Sequence, residues 1–201
     1  MSSKLAITLG TVFASISFVF LLLVNLGTNV IRSIYVMQYA ASNITAQLGI
    51  YGSCVGSNFT GPLHPEILLG CAKSGLINEI GTSGTKFLAA MHLVALIVST
   101  LLVIVGFIAI CVPNILMQTI LATISIFGSI VIILAIIGDI LVFKDNENAE
   151  ILIGELDDSI SSKNFGVGFG LTIGALACTL IAIVLFIKSL HKTKKVTNVK
   201  A

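Results

Sequence analysis

The sequence predicts an all-α membrane protein, a four-helix bundle with a small extracellular β-sheet. Three observations favour this fold class: a mean hydropathy of +1.09, four long apolar runs, and a short alternating segment between the first two runs. Of the 201 residues, 56% are hydrophobic and 10% are charged, whereas a soluble domain carries about 25% charged residues. The composition therefore excludes a soluble enzyme and indicates a lipid bilayer. The net charge of +2 gives no indication of a nucleic-acid partner.

Each apolar run is long enough to cross a bilayer, which takes about 20 helical residues. The first run is uncharged and longer than the core of a signal peptide, so it predicts a membrane anchor, with a cleaved signal peptide as the alternative. Pro113 separates the second run from the third, and the third is so long that it must tilt or project beyond the bilayer. The predicted spans of this single four-transmembrane domain are residues 5–26, 87–111, 115–143 and 166–187.

An even number of spans places both termini on one side, and the basic residues indicate which side. Five lysines lie in the tail at 188–201, and segments rich in Lys and Arg face the cytoplasm. The loops at 27–86 and 144–165 are therefore predicted to be extracellular. The second loop holds six of the nine acidic residues but does not match an EF-hand, so a solvated loop is favoured over weak cation binding.

The first loop carries both N-x-[ST] sequons of the chain, at Asn43 and Asn58. Such sites are glycosylated in secreted and surface proteins, which agrees with the predicted topology. The cysteines of this loop are Cys54 and Cys71. An oxidising compartment favours a disulfide between them, with two free thiols as the alternative.

The first loop also contains the segment that predicts the sheet. Residues 45–55 alternate and are punctuated by glycine, which is typical of short strands, and residues 66–71 indicate another strand or a short helix. Residues 58–65 are expected at the tip of the loop, either as a contact for a partner on another membrane or as a solvated connection.

A G-x-x-G-x-C pattern formed by Gly49, Gly52 and Cys54, with Tyr51 between the glycines, lies in this segment. Together with the four spans and the long first loop, the pattern resembles the fungal branch of the claudin-like tetraspan superfamily. That branch includes mating-induced calcium-uptake regulators and proteins needed for plasma-membrane fusion of mating partners. Animal claudins carry Trp in a Gly-Leu-Trp motif, whereas this chain has no Trp. A fungal branch of cortical-domain and pH-sensing proteins shares the architecture.

The resemblance implies a plasma-membrane protein that passes through the endoplasmic reticulum and acts at a cell tip or at cell–cell contacts. The implied function is membrane organisation and plasma-membrane fusion during mating. The expected partners are other membrane proteins, in the same membrane or on the mating partner. Two alternatives are a regulator or channel-like subunit for calcium influx, and a cortical membrane-domain organiser.

Asp139 is the one acidic residue within the predicted spans. Because it lies near the end of an overlong helix, a carboxylate solvated at the extracellular interface is favoured, and a cation site is the alternative. His92, in the second span, is expected to be a hydrogen-bonded packing residue rather than a ligand.

Three glycines, Gly166, Gly170 and Gly174, recur at four-residue spacing on one face of the fourth span. Small residues at this spacing permit close helix approach, so packing within the bundle is favoured and a homo-oligomer is the alternative. Gly10 and Ala14 have the same spacing in the first span.

Residue patterns typical of catalysis are missing from the sequence. It contains no nucleotide-binding glycine loop, no metal-ligand spacing and no recognisable nucleophile–base arrangement. The chain is therefore predicted not to be an enzyme, and no cofactor is expected.

Overall fold

Four long helices and a five-stranded sheet make up the described part of this chain in its computed structural model. The structure describes residues 3–31, 33–40, 44–51, 53–57, 68–72, 83–144 and 162–200. The helices are α1 (Ser3–Val30), α2 (Ser83–Cys111), α3 (Ile115–Lys144) and α4 (Val167–Lys200). The strands are β1 (Met37–Ala40), β2 (Ile44–Leu48), β3 (Ser53–Ser57), β4 (Leu68–Ala72) and β5 (Ser162–Phe165).

All four helices contain a stretch long and apolar enough to cross a membrane, so the prediction of a four-span membrane protein is confirmed. These stretches are Ser3–Gly27, Lys86–Cys111, Ile115–Lys144 and Val167–Thr193. The helices are somewhat longer than the predicted spans because helical hydrogen bonding continues past the last apolar residue. The clearest case is α4, which runs through the basic tail to Lys200.

Contacts between the helices form a ring in which α1 packs on α2 and α4, and α3 packs on the same two neighbours. The turn between α2 and α3 is tight because Pro113 cannot continue a helix. The Asn114 side chain then caps α3, accepting a hydrogen bond at Oδ1 from the Leu116 amide at 2.9 Å. At the other end of the bundle α1 breaks at Gly27, whose φ of 33° and ψ of −140° are not helical.

The sheet is antiparallel throughout and has the strand order β4-β3-β2-β1-β5. The alternating segment at 45–55 forms parts of two strands, β2 and β3, joined by a turn that begins at Gly49. The stretch at 66–71, for which the sequence indicated either a strand or a short helix, overlaps β4. The strands β1 and β5 were not predicted, and β5 belongs to the segment that was interpreted as a solvated loop. Pairing of β1 with β5 therefore joins both sheet-side loops in one sheet.

The sheet lies on one end of the bundle, held there by a buried apolar cluster that we call the junction cluster. It combines residues from three helices with residues from the sheet, and each is buried. Two further buried clusters fill the bundle between the junction and the opposite end. The junction cluster consists of Val24, Val36, Met37, Tyr39, Leu48, Ile50, Leu88, Ala89 and Val142.

Candidate functional site

A buried acid–base pair links α2 to α3 in the half of the bundle nearest the sheet. The His92 Nε2 atom lies 3.2 Å from Asp139 Oδ1, and both side chains are 0% exposed. Interpreting Asp139 as a solvated carboxylate was therefore wrong. The physical reason is that α3 does not end in water, since Val142 and the adjoining Phe143 pack into the junction cluster and the sheet covers this end.

Asn25 of α1 lies beside the pair. Its Nδ2 donates to the Leu21 carbonyl oxygen at 2.8 Å and contacts the His92 carbonyl oxygen at 3.4 Å. Within the part of the chain that is described, Asn25 Oδ1, His92 Nδ1 and Asp139 Oδ2 are buried without a hydrogen-bond partner. Three helices thus bring an amide, an imidazole and a carboxyl group into an apolar interior. Such groups are costly to bury and often mark functional positions in membrane proteins.

The pair can hold and exchange a proton, because its two groups can share one proton between nitrogen and oxygen. As a metal site it is poor in ligands: among the described residues, no three His, Cys, Asp or Glu side chains come together. The cation site at Asp139 stays a prediction. For His92, the expected hydrogen-bonding partner is now identified as Asp139.

The residues of the G-x-x-G-x-C pattern lie where the sheet meets the bundle. Gly49 is buried in the turn after β2, next to fully buried Ile50, and Tyr51 packs against the junction cluster. Burial raises the pKa of the Tyr51 phenol, so this side chain stays neutral over the physiological range. The turn also approaches the break in α1, where a Cβ placed on Gly27 would lie 4.0 Å from the Gly49 Cα. Gly52 lies outside the described residues.

Cys54 and Cys71 are directly opposite each other in the register of β3 and β4. Directly opposed residues of an antiparallel pair have Cα atoms about 4.5–5.5 Å apart, within the range that a disulfide requires. The side chains of both cysteines lie outside the described set, so the disulfide remains a prediction. Among the described side chains no disulfide is present, and Cys111 and Cys178 are free thiols.

The three glycines of the fourth span have different surroundings. A Cβ on Gly166 would overlap the Tyr35 carbonyl oxygen and ring, and a Cβ on Gly174 would lie 3.0 Å from the Phe20 ring. Gly170 has nothing within 4 Å, so the spacing does not produce one continuous contact face. In α1, Gly10 packs against the Phe186 ring of α4.

Two further contacts at the start of α4, near the sheet, were not predicted from the sequence. The Gly166 amide donates to the Val36 carbonyl oxygen at 2.8 Å, and the Gly168 amide donates to the Tyr35 carbonyl oxygen at 2.8 Å. A Cβ on Gly168 would lie 2.9 Å from that oxygen. The start of α4 is therefore attached to the segment that leads into β1, and the glycines make this close approach feasible.

Aromatic rings from four elements form a stack beside the junction cluster. The Phe165 ring of β5 lies between Phe143 of α3 and Phe169 of α4, with centroid distances of 4.0 Å on both sides. Tyr39 of β1 continues the stack at 6.5 Å from Phe143, and Lys163 Nζ lies 5.6 Å from the Tyr39 ring centroid. Single aromatic residues far apart in sequence give no signal of such a stack, so sequence reasoning missed it.

A second polar network, which we call the distal network, lies at the opposite end of the bundle. Ser3 Oγ is 2.7 Å from Ser189 Oγ and 3.1 Å from Thr193 Oγ1. Thr193 donates to Gln118 Oε1 at 3.1 Å, and Gln118 is only 1% exposed. These contacts tie α1, α3 and α4 together.

Several predicted features lie outside the described residues. They include the sequons at Asn43 and Asn58, the loop tip at 58–65, and the acidic residues between α3 and β5. No protein-family model matches the chain, and no curated protein matches its sequence.

Proposed function

We propose that this protein is a claudin-like plasma-membrane tetraspan that acts at cell–cell contacts in membrane organisation and plasma-membrane fusion during mating. The observation that carries the proposal is the sheet. Both sheet-side loops contribute strands to it, and the junction cluster attaches it to the membrane-spanning bundle. A platform of this kind can present a defined surface to an opposing membrane while remaining attached to the bilayer that bears it.

The arrangement of the buried polar groups is also consistent with a protein that acts through contacts with other membrane proteins. In the described residues some of the buried polar groups link helices to one another, as the His92–Asp139 pair and the distal network do. Large exposed apolar side chains are distributed along all four helices, as expected for surfaces that face lipid.

The proposed topology has both termini in the cytoplasm and the sheet outside the cell. The basic tail supports this orientation, because exposed Lys188 and Lys192 lie at the end of α4 that is distant from the sheet. In this orientation the sheet is exposed to an oxidising compartment. We therefore include a Cys54–Cys71 disulfide in the proposal, supported by the register of β3 and β4.

Mating of cells that lack the gene, complemented with defined variants, tests the fusion function. Cytoplasmic mixing between partners and electron microscopy of the contact zone are the measurements. We expect that cells without the protein pair and dissolve the wall but keep two apposed membranes. Complementation with Cys54→Ser should leave the same arrest, whereas Gly170→Ala, at a position with open space around it, should restore mixing.

Each alternative function predicts a different result in the same cells. Normal fusion with reduced uptake of labelled calcium would contradict the proposal and favour a calcium-influx regulator. Normal fusion and calcium uptake, with the tagged protein in stable patches on vegetative cells, would favour a cortical organiser. Mass spectrometry of non-reduced peptides tests the disulfide separately, and finding Cys54 and Cys71 as free thiols would remove it from the proposal.

A further inference from the structure

We propose that His92 and Asp139 form a binding site for a single proton, which makes the sheet-side half of the bundle most stable at mildly acidic pH. The two groups are in hydrogen-bond contact and fully buried. This inference does not depend on the proposed cellular function.

The argument begins with the charge of the pair. With one proton between them the two groups are neutral overall, either as imidazolium and carboxylate or as imidazole and carboxylic acid. Without a proton the pair carries a net charge of −1, and with two protons it carries +1. A net charge in an apolar interior is strongly unfavourable unless it is compensated, so the folded protein retains one proton.

No other charged group among the described residues compensates the pair. Within α1 the nearest polar side chain is the uncharged Asn25. The span of α4 has no charged residue before Lys188, and the Lys86 and Lys144 side chains, near the sheet-side ends of α2 and α3, are exposed. The thiols of Cys111 and Cys178 and the basic residues Lys4, Lys188, His191 and Lys192 at the ends of α1 and α4 distant from the sheet are further titratable groups of the described helices. On the sheet side, Lys163 lies over the Tyr39 ring and the Tyr51 phenol is neutral.

Comparison of the folded protein with the unfolded chain gives the pH dependence of the free energy of unfolding. In an unfolded chain Asp titrates near pH 3.9 and His near pH 6.5, as typical reference values. Between these values the unfolded pair also holds one proton. In this range the pair therefore contributes no pH dependence to the free energy of unfolding. Above about pH 6.5 the unfolded chain loses this proton while the folded protein keeps it, so stability falls as pH rises. Below about pH 3.9 the unfolded chain gains a second proton, and stability falls again.

Removing either partner changes the shape of this profile. In His92→Gln the buried carboxyl group must keep a proton alone, and stability should fall with rising pH from about pH 4 upward. In Asp139→Asn the buried imidazole must remain neutral, and stability should fall with decreasing pH below about pH 6.5. Both variants retain a polar side chain, so loss of a hydrogen bond alone does not predict these opposite slopes.

The test is equilibrium unfolding of the full-length chain in mixed micelles between pH 4 and 8.5. The double variant His92→Gln/Asp139→Asn supplies the baseline, because it retains every other titratable group. Relative to this baseline, the wild type should be flat up to about pH 6.5 and then lose up to about tenfold in the folding equilibrium constant per pH unit. Gln118→Leu, at the other end of α3, is the matched control and should lower stability equally at every pH.

The outcomes are separable. Opposite slopes for the two single variants, with a plateau for the wild type, would support the one-proton site. Profiles of the wild type and of either single variant that run parallel to the baseline would overturn it. If a single variant fails to fold, the comparison of wild type with the double variant still decides, since a constant difference between pH 6.5 and 8.5 contradicts the proposal.

Discussion

The two ends of the bundle differ in the polar groups that join their helices. At the sheet end, polar contact between α2 and α3 depends on two titratable groups, His92 and Asp139. In the distal network the contacts are made by hydroxyl groups and one amide, and the single Thr193 hydroxyl proton can be given either to Gln118 Oε1 or to the Ser189 carbonyl oxygen of its own helix. Hydroxyl groups can find partners on their own backbone, whereas a buried carboxyl group cannot. The sheet end is therefore the more sensitive to substitution and the distal end the more tolerant.

The largest effect is expected where α4 meets the segment before β1. In Gly166→Ala the new Cβ would overlap the Tyr35 carbonyl oxygen, and backbone atoms cannot move aside as a flexible side chain can. We expect a loss of about 3 kcal/mol in the free energy of unfolding, as for severe overpacking. Equilibrium unfolding in mixed micelles measures it.

Gly170→Ala is the matched control for that substitution. Nothing lies within 4 Å of the new Cβ, and alanine favours a helix over glycine by about 1 kcal/mol. An unchanged or slightly higher stability is expected. A loss as large as that of Gly166→Ala would show that Gly170 contacts another molecule, which would favour the homo-oligomer.

A loss of similar size is expected when the buried His92–Asp139 pair is broken. Asp139→Leu leaves His92 without its partner, and we expect a loss of about 3 kcal/mol, the lower end for breaking a buried pair. The double variant His92→Leu/Asp139→Leu should lose less, because neither member of the pair is left buried without the other. The same unfolding measurement on the single variant His92→Leu completes the double-mutant cycle, and additive losses would show that the two residues do not interact.

A smaller effect is expected for the aromatic stack. Phe165→Ala removes the middle ring, and each aromatic pair contributes about 1 kcal/mol beyond its burial. Because Phe165 stacks on two neighbouring rings, we expect stacking to account for about 2 kcal/mol of the loss. Phe165→Leu, which keeps apolar contact without the ring, should retain the stacking part of the loss, and an unchanged stability in Phe165→Leu would contradict a contribution from stacking.

The smallest effect is expected in the distal network. Thr193→Val removes a hydroxyl that bridges α3 and α4, and such hydrogen bonds contribute about 0.6 kcal/mol on average in membrane bundles. The loss in the unfolding assay should be close to this value. An effect as large as that of Asp139→Leu would contradict the contrast between the two ends.

The helices could be predicted from the sequence because apolar length alone determines which segments can cross a bilayer. The strands were harder to predict. β2 and β3 have alternation and glycine turns, but β5 is only four residues long and is stabilised by pairing with β1, more than 100 positions earlier in the chain. Local pattern carries no information about that pairing.

The buried His92–Asp139 pair could not be predicted from local sequence either. Asp139 was identified as an unusual residue, but its distance from the helix end indicated solvent, because a helix considered alone has no sheet above it. The partner, His92, lies 47 positions away on another helix. Identification of such a pair requires the packing of the helices as well as their boundaries.

The pairing of β1 with β5 also determines how a pull on the sheet would reach the membrane. β1 follows α1 after a short segment, and β5 is separated from α4 by Gly166 alone. These two helices are neighbours and are joined in mid-bundle by a hydrogen bond of 2.9 Å between the Ser17 and Thr179 hydroxyl groups. A tensile load applied through an adhering partner would therefore pass along two short covalent paths into adjacent helices, whereas the chain connections from the sheet to α2 and α3, residues 73–82 and 145–161, are longer.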